Sequence, residues 1–539
     1  LSHSIVCSDL VFEWPDGTAV FSGLNAAFDS GRTGLIGLNG SGKSTLLKLI
    51  TGELSPASGG VRVDGDTGYL DQGLTLDTGQ TVAELLGIAR TRAALRAIEA
   101  GDASEANFSA VGDDWDIEER ATAELERFGI ALGGPEPLDR TVASLSGGEA
   151  ILAALAGLIL RRPPVTLLDE PTNNLDARAR GLLYEAVDAW RGVLVIVSHD
   201  RELLERVDRI AELRDGGIRV WGGNYSSYAE QLATEQEAAQ RAVRAAETDV
   251  RKEKRQLIEA RTKLDRRARY GRKMNESKRE PKVVMNQRKR DAQVSAAKHR
   301  IMQAGKLEDA EQALAESESA VRDDDRIRIR LPDTAVPAGR TVLELDGPQD
   351  RIHVRGPERI ALTGDNGSGK TTLLRAVAGA ASARHAAVSV VRVADRVGYL
   401  PQRLDILDDA VSVLDNVRAA APEATPHEVR ANLARFLIRG DRVEDPAGVL
   451  SGGERFRVSL ACLLLADPPP QLLLLDEPTN NLDLHSSARL TEALSAYRGA
   501  LIVAGHDTAF LAEIGITRWW RMERGGAPVE SDPPPEAEG

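Results

Sequence analysis

Gly37-Leu38-Asn39-Gly40-Ser41-Gly42-Lys43-Ser44 stands near the start of a 539-residue chain and returns as Gly364-Asp365-Asn366-Gly367-Ser368-Gly369-Lys370-Thr371. Each copy follows a short aliphatic run, Thr33–Ile36 or Arg359–Leu362, and opens a helical stretch that continues through Thr45 or Thr372. Such a loop turns backbone N–H groups inward around phosphate oxygens. Its lysine carries a cation to the terminal phosphates, and the hydroxyl after it is placed to ligate Mg²⁺. One loop of this kind among 49 glycines is a weak signal. Two of them, each followed by the same motifs in the same order, are a strong one.

Those motifs extend outward from the loops. Gly68-Tyr69-Leu70-Asp71-Gln72 is matched by Gly398-Tyr399-Leu400-Pro401-Gln402, and Leu145-Ser146-Gly147-Gly148-Glu149 by Leu450-Ser451-Gly452-Gly453-Glu454. Leu167-Leu168-Asp169-Glu170-Pro171-Thr172-Asn173-Asn174-Leu175-Asp176 recurs as Leu474-Leu475-Asp476-Glu477-Pro478-Thr479-Asn480-Asn481-Leu482-Asp483. His199 follows Glu170 by 29 residues, and His506 follows Glu477 by the same 29. The chain is a duplicated domain. Asp169 and Asp476 close aliphatic strands and suit Mg²⁺ held through water, so with Ser44, Thr371, Gln72 and Gln402 they form the expected metal set. Glu170 and Glu477 are expected to orient or deprotonate an attacking water, and His199 and His506 to contact the γ-phosphate.

Aliphatic runs alternating with amphipathic stretches in each half predict an α/β fold with a largely parallel sheet. The divisions expected are 1–224 and 331–524 for the duplicated domains, 225–330 for a linker, and 525–539 for a disordered, acidic, Pro-rich tail. The linker is of another kind. It is rich in Ala, Glu, Gln, Lys and Arg, with Val243, Val250, Leu257 and Leu264 seven apart on one arm and Leu307, Leu314 and Val321 seven apart on the other. That seam predicts an antiparallel α-helical hairpin, its first helix from about 230 to 268 and about 58 Å long. The net charge is −14, yet residues 251–300 hold 19 Lys or Arg against 6 Asp or Glu. A basic element on acidic bodies points to a polyanionic partner such as RNA. At its tip Tyr270, Met274, Val283, Val284 and Met285 mix apolar groups with the charges, suited either to stacking against bases or a nascent chain or to packing the hairpin end. No apolar run approaches the roughly 20 residues of a membrane span, and Leu1–Leu10 shows no secretory pattern, so a cytoplasmic location is expected. Two cysteines, Cys7 and Cys462, exclude a disulfide framework and a structural zinc site.

The motifs together resemble the ATP-binding-cassette (ABC) ATPase superfamily, of which Leu-Ser-Gly-Gly-Glu is the most specific mark. The resemblance implies ATP hydrolysis with Mg²⁺ at two sites, each completed by the signature of the other domain. Site one would join Gly37–Ser44, Gln72, Asp169, Glu170 and His199 to Ser451–Glu454. Site two would join Gly364–Thr371, Gln402, Asp476, Glu477 and His506 to Ser146–Glu149. Asp176 and Asp483 match the loop that couples the sites, and the sites would be intramolecular in a monomer. Tandem cassettes with a charged helical linker of about 100 residues resemble the ABC-F family. This implies binding to the ribosome near the tRNA exit site, with the linker reaching toward the peptidyl-transferase centre. Some members are housekeeping translation factors and others displace antibiotics; the mixed apolar tip favours protection from antibiotics. The ATPase pair of a membrane transporter is the alternative from another class, and a basic hairpin has no evident use there. DNA-maintenance ATPases fit less well, because the linker is too short or the cysteines too few. Two departures from the family pattern imply unequal sites. Ala150 follows the first signature where Gln, Lys or Arg is usual, whereas Arg455 follows the second. Trp14 suits an adenine-stacking aromatic, or else is a half-buried surface side chain, and no aromatic precedes Lys370 at the matching place.

Overall fold

The computed structural model describes the chain apart from residues 1–2, 74–78, 134–135, 174, 277–281, 322–333, 349, 381–384, 481 and 534–539. It forms two units, one of Leu1–Tyr225 with Asp325–Gly539 and one of Ser226–Asp324.

The first unit carries the same architecture twice. In its N-terminal cassette the strands are β1 (Ser4–Glu13), β2 (Ala19–Asp29), β3 (Gly31–Gly37), β4 (Ser58–Val63), β5 (Thr67–Leu70), β6 (Val165–Asp169), β7 (Val193–Val197), β8 (Arg209–Arg214) and β9 (Gly217–Gly222). The C-terminal cassette repeats them as β10 (Thr341–Asp346), β11 (Arg351–Arg355), β12 (Arg359–Thr363), β13 (Ser389–Val393), β14 (Val397–Leu400), β15 (Leu472–Asp476), β16 (Ala500–Ala504), β17 (Arg518–Arg521) and β18 (Val529–Ser531). Each half has a three-stranded antiparallel sheet, β2-β1-β4 or β11-β10-β13, and a six-stranded sheet, β5-β6-β7-β3-β8-β9 or β14-β15-β16-β12-β17-β18. In the larger sheets only the last strand, β9 or β18, runs antiparallel to its neighbour.

Sequence explains the difference between the sheets. Every residue of β6, β7, β15 and β16 is buried, as unbroken aliphatic runs require when helices cover both faces of a parallel sheet. By contrast β1 turns Ile5, Cys7, Leu10 and Phe12 into the core between half-buried or exposed neighbours. The expectation of a disordered tail from Gly525 meets a difference. Val529–Ser531 pairs with Trp519–Arg521 as β18, because an edge position in the sheet outweighs a Pro-rich, acidic surrounding that alone reads as unstructured. No helix among the described residues is long and apolar enough to cross a membrane.

The second unit is two long helices, Tyr225–Glu276 and Lys282–Ala320. At 1.5 Å per residue their 52 and 39 residues span about 78 and 58 Å. The first is longer than the expected 230–268, since no proline or glycine interrupts it before Gly271. The heptad seam is present: Val250 is buried, Val243, Leu257, Leu307, Leu314 and Val321 are half-buried, and Lys254 Nζ reaches Glu311 across the pair at 3.0 Å. The side chain of Leu264 and the apolar tip residues Tyr270, Met274, Val283, Val284 and Met285 lie outside the described side chains.

Candidate functional site

Sheet order assembles the two sites. Because β6, β7 and β3 are neighbours, the carboxylates ending β6, the histidine just past β7 and the glycine loop after β3 emerge side by side at one edge, where open parallel sheets bind ligands. The second half repeats this with β15, β16 and β12. Each loop closes on a glycine in the left-handed region, Gly42 (φ 102°) or Gly369 (φ 105°), which caps the helix Lys43–Thr51 or Lys370–Val377. At Gly37 an added Cβ would sit 2.5 Å from Leu213 O, and at Gly364 it would strike Met522 O. These first glycines are required by close backbone packing. Lys43 is buried with its ammonium donating to Gly37 O (2.9 Å) and Leu38 O (3.0 Å). Lys370 likewise donates to Gly364 O at 2.5 Å and lies 3.2 Å from His506 Nε2. Burial lowers both lysine pKa values, against the pull of Glu170 and Glu477.

Asp169 is 1% exposed, and neither of its carboxylate oxygens is in a hydrogen bond of ordinary geometry among the described residues, although the Ser44 hydroxyl is near enough to offset part of the burial that raises its pKa. Its counterpart Asp476 accepts from Thr371 Oγ1 (3.1 Å) and from the Tyr399 hydroxyl (3.3 Å). Glu170 and Glu477 take φ of 49° and 47°, left-handed backbone that costs an ordinary residue about 1–2 kcal/mol. Bonds from Glu170 N to Val197 O (2.9 Å) and from Glu477 N to Ala504 O (2.8 Å) hold them there. Strain repeated at the same acidic residue in both halves marks a position kept for its side chain. Glu170 Oε1 lies 3.1 Å from His199 Nε2, and Glu477 Oε1 lies 3.5 Å from His506 Nε2. Burial pushes Glu170 up to about 8 and raises Glu477. Burial also depresses His199 and His506 to about 3, so both imidazoles are neutral near pH 7.

A cavity of about 450 Å³ in the first half is lined by Trp14, Val20, Asn39, Gly40, Gly42, Lys43, Ser44, Thr45, Gln72, Asp169, Glu170, Asn173 and His199, together with Gly452 from the other half. The second, about 380 Å³, is lined by Asn366–Thr372, Gln402, Glu477, Asn480 and His506, with Leu175 and Arg180 crossing from the first half. Asp483 also crosses, its Oδ2 accepting from Asn39 N at 2.9 Å, while Asp176 is among the charges acting on Lys370 and His506. Most residues singled out from sequence thus converge. Ser41, by contrast, buries a hydroxyl without a partner among the described residues, outside the first cavity's lining. Ser146–Glu149 does not line the second cavity among the described residues, whereas Gly452 does line the first.

The Ser-Gly-Gly-Glu signatures have a local explanation. Ser146 Oγ accepts from Glu149 N and Glu149 accepts from Ser146 N, a reciprocal cap repeated by Ser451 and Glu454. Gly147, Gly148, Gly452 and Gly453 therefore open helices whose free N–H groups attract anions. After the signatures, Ala150 is buried, while Arg455 bonds Leu404 O (2.9 Å) and Asp409 (2.5 Å). Trp14 is 40% exposed and packs edge-on against Phe12 at 5.1 Å; no aromatic lines the second cavity among the described residues. Sequence reading did not single out Val20, Asn173, Val197, Leu175, Arg180 or Asn480 among the cavity-lining residues. No local signal singles out Arg180, because the shared run ends at Asp176 and Asp483 and the next four residues differ at every position, Ala177-Arg178-Ala179-Arg180 against Leu484-His485-Ser486-Ser487.

Two P-loop cassettes in one chain, each offering groups to the other's nucleotide cavity, define a tandem ATP-binding-cassette ATPase. The ABC transporter family profile matches residues 22–173 and 350–480. The tylosin resistance ATP-binding protein TlrC of Streptomyces fradiae is 34% identical over 536 residues, covering 91% of this chain and 92% of that protein. ABC transporter F family member 5 of Arabidopsis thaliana is 29% identical over 529 residues, covering 92% and 71%. An archaeal ribosome recycling factor, aABCE1, solved with the ribosomal stalk protein aP1, shares the fold with a TM-score of 0.54 at 18% identity, covering 97% of this chain and 89% of that one. The chain belongs to the ABC-F family of ATP-binding-cassette proteins, and it binds and hydrolyses ATP.

Proposed function

We propose that this ATPase is a cytoplasmic, monomeric ribosome-binding factor. ATP-driven closure of its cassettes locks it near the tRNA exit site, and its linker acts toward the peptidyl-transferase centre to protect it from antibiotics. The observation that carries the clamp is the crossing of Asp483 onto Asn39 and of Gly452 into the first cavity. A site made from both halves binds nucleotide best when they are together, so hydrolysis loosens them. The charge of residues 251–300 supports an RNA partner. The relation to a tylosin resistance protein along nine-tenths of both chains supports protection as the outcome.

In this reading Lys43 and Lys370 hold the β- and γ-phosphates, and the N-terminus of the signature helix at Gly452 faces the γ-phosphate of the first site from across the interface. Glu170 and Glu477 orient and deprotonate the attacking water. The neutral imidazoles of His199 and His506 steady the γ-phosphate, adding no second cation beside the lysine. The orphaned oxygens of Asp169 beside the Ser44 hydroxyl fit Mg²⁺, for which Ser44, Gln72 and Asp169, or Thr371, Gln402 and Asp476, would be the holders. When bound, the metal neutralises phosphate charge. The test is the double variant Glu170→Gln/Glu477→Gln, which is expected to bind ATP without turnover and to sediment with ribosomes in an ATP-dependent way. Equal ribosome occupancy with and without ATP would refute the clamp. Unchanged drug susceptibility after removal of the whole gene would leave a housekeeping translation role.

A further inference from the structure

The two cassettes wall the outer end of the nucleotide cavity in different ways. In the first, β1 pairs with β4 as far as Val11 and Ser58, then runs on with β2 alone through Phe12 and Glu13. The turn that carries Trp14 and the start of β2 therefore reach past the edge of β4. Trp14 and Val20 line the cavity there, and a Cβ added at Gly42, just before Lys43, would meet Val20 Cγ1 at 2.6 Å and Phe21 Cζ at 2.9 Å. The second hairpin stops short. β10 ends at Asp346, which already pairs with Ser389, the first residue of β13, and no residue of β10 or β11 lines the second cavity among the described residues.

A different segment fills the place against the second phosphate loop. Residues 378–388 join the helix Lys370–Val377 to β13, where 52–57 suffice in the first cassette. Within that longer connection stands His385, shortly before Ser389 and so on the side where the first hairpin projects. A Cβ added at Gly369, just before Lys370, would meet His385 Nε2 at 3.1 Å and Cδ2 at 3.7 Å, with Met522 Cε at 3.6 Å. Gly369 is itself part of the second cavity's lining, so the imidazole stands at that cavity's border. Its Nδ1 is buried without a hydrogen-bond partner among the described residues. An aliphatic side chain, such as Val20 in the first cassette, would fill the space without the cost of an orphaned nitrogen.

We infer that His385 is the nucleoside-contacting residue of the second ATP site, its imidazole taking the part that Trp14 and Val20 take in the first. This deepens, and rests on, the reading of the second cavity as an ATP site. Histidine is one of the side chains on which bases stack, and its ring nitrogens can also bond a purine or a ribose hydroxyl. The two sites then hold the phosphates alike and the nucleoside differently, one through a hairpin turn and the other through the approach to β13.

The test is equilibrium binding by the full chain carrying Lys43→Ala, which confines tight binding to the second site, and Glu477→Gln, which prevents turnover there. ATP and inorganic tripolyphosphate, which has no nucleoside, are titrated by calorimetry. Adding His385→Ala is expected to weaken ATP by about two- to tenfold and to leave tripolyphosphate unchanged, whereas His385→Phe retains ATP affinity. In a chain carrying Lys370→Ala and Glu170→Gln, where only the first site binds, His385→Ala should change nothing. Unaltered ATP affinity at the second site, or equal losses for ATP and tripolyphosphate, would overturn the assignment, the latter showing that the ring merely shapes the phosphate loop. Absence of ATP binding in the Lys43→Ala chain with His385 intact would overturn the reading of the second cavity, and the assignment with it.

Discussion

Asp483→Asn removes one charge and almost no volume, and its consequence can be worked from the contacts. The Asp483 carboxylate is 5% exposed and divides its oxygens between two donors. Oδ1 accepts from Ser486 N at 2.7 Å and so caps its own helix, whereas Oδ2 accepts from Asn39 N at 2.9 Å, in the phosphate loop of the other cassette. Asparagine offers a single acceptor oxygen. As an N-cap it serves about as well as aspartate, so the oxygen stays with Ser486 and the amide NH₂ is turned toward Asn39 N–H. The loss therefore falls on the crossing bond. A charge-assisted hydrogen bond of this kind contributes about 1.5–3 kcal/mol, and each 1.4 kcal/mol is about a factor of ten. Closure of the first site should weaken by about 10- to 150-fold. The assay is the release rate of trapped ATP in the Glu170→Gln/Glu477→Gln background, with and without Asp483→Asn. Thermal unfolding in the absence of nucleotide checks that the cap survives. Release accelerated by less than about threefold, with an unchanged unfolding midpoint, would show that the Asn39 contact does not hold the halves together.

Three further outcomes follow from the geometry. Trp14→Ala should weaken nucleotide binding at the first site by about two- to tenfold, since aromatic stacking contributes about 0.5–1.5 kcal/mol, and leave the second unaltered; titration of each single-glutamine variant with labelled ATP distinguishes them. Gly157→Ala, a change that would stabilise an exposed helix, should cost about 1–3 kcal/mol here, because the new Cβ would lie 2.6 Å from Leu86 O and 2.7 Å from Leu86 Cα; denaturant melts read the sign directly. His199 and His506 are depressed to about 3 by burial, so between the unfolded value near 6.5 and that folded value the unfolded chain binds more protons. Stability should fall as pH drops from about 6.5 toward 4, and replacing both histidines by asparagine should flatten that slope in thermal melts recorded across the range.

The duplication, the α/β class and most of the residues that line the two cavities were written in the sequence, because phosphate chemistry demands particular side chains at short, fixed spacings. A loop such as Gly37–Ser44 is local, and so is a Ser-x-x-Glu cap. Unbroken aliphatic runs such as Val193–Val197 announce strands covered on both faces, and a seven-residue repeat announces a paired helix. What crosses from one half to the other has no such local spelling. That Asp483 bonds Asn39, 444 residues away in the chain, or that Arg180 lines a cavity built by the other cassette, depends on how the two cassettes meet. The left-handed backbone of Glu170 and Glu477 and the strand at Val529–Ser531 were likewise decided by neighbouring strands. Tertiary packing sets these features because hydrogen bonds and burial supplied from far along the chain outweigh the roughly 1 kcal/mol preferences of single residues.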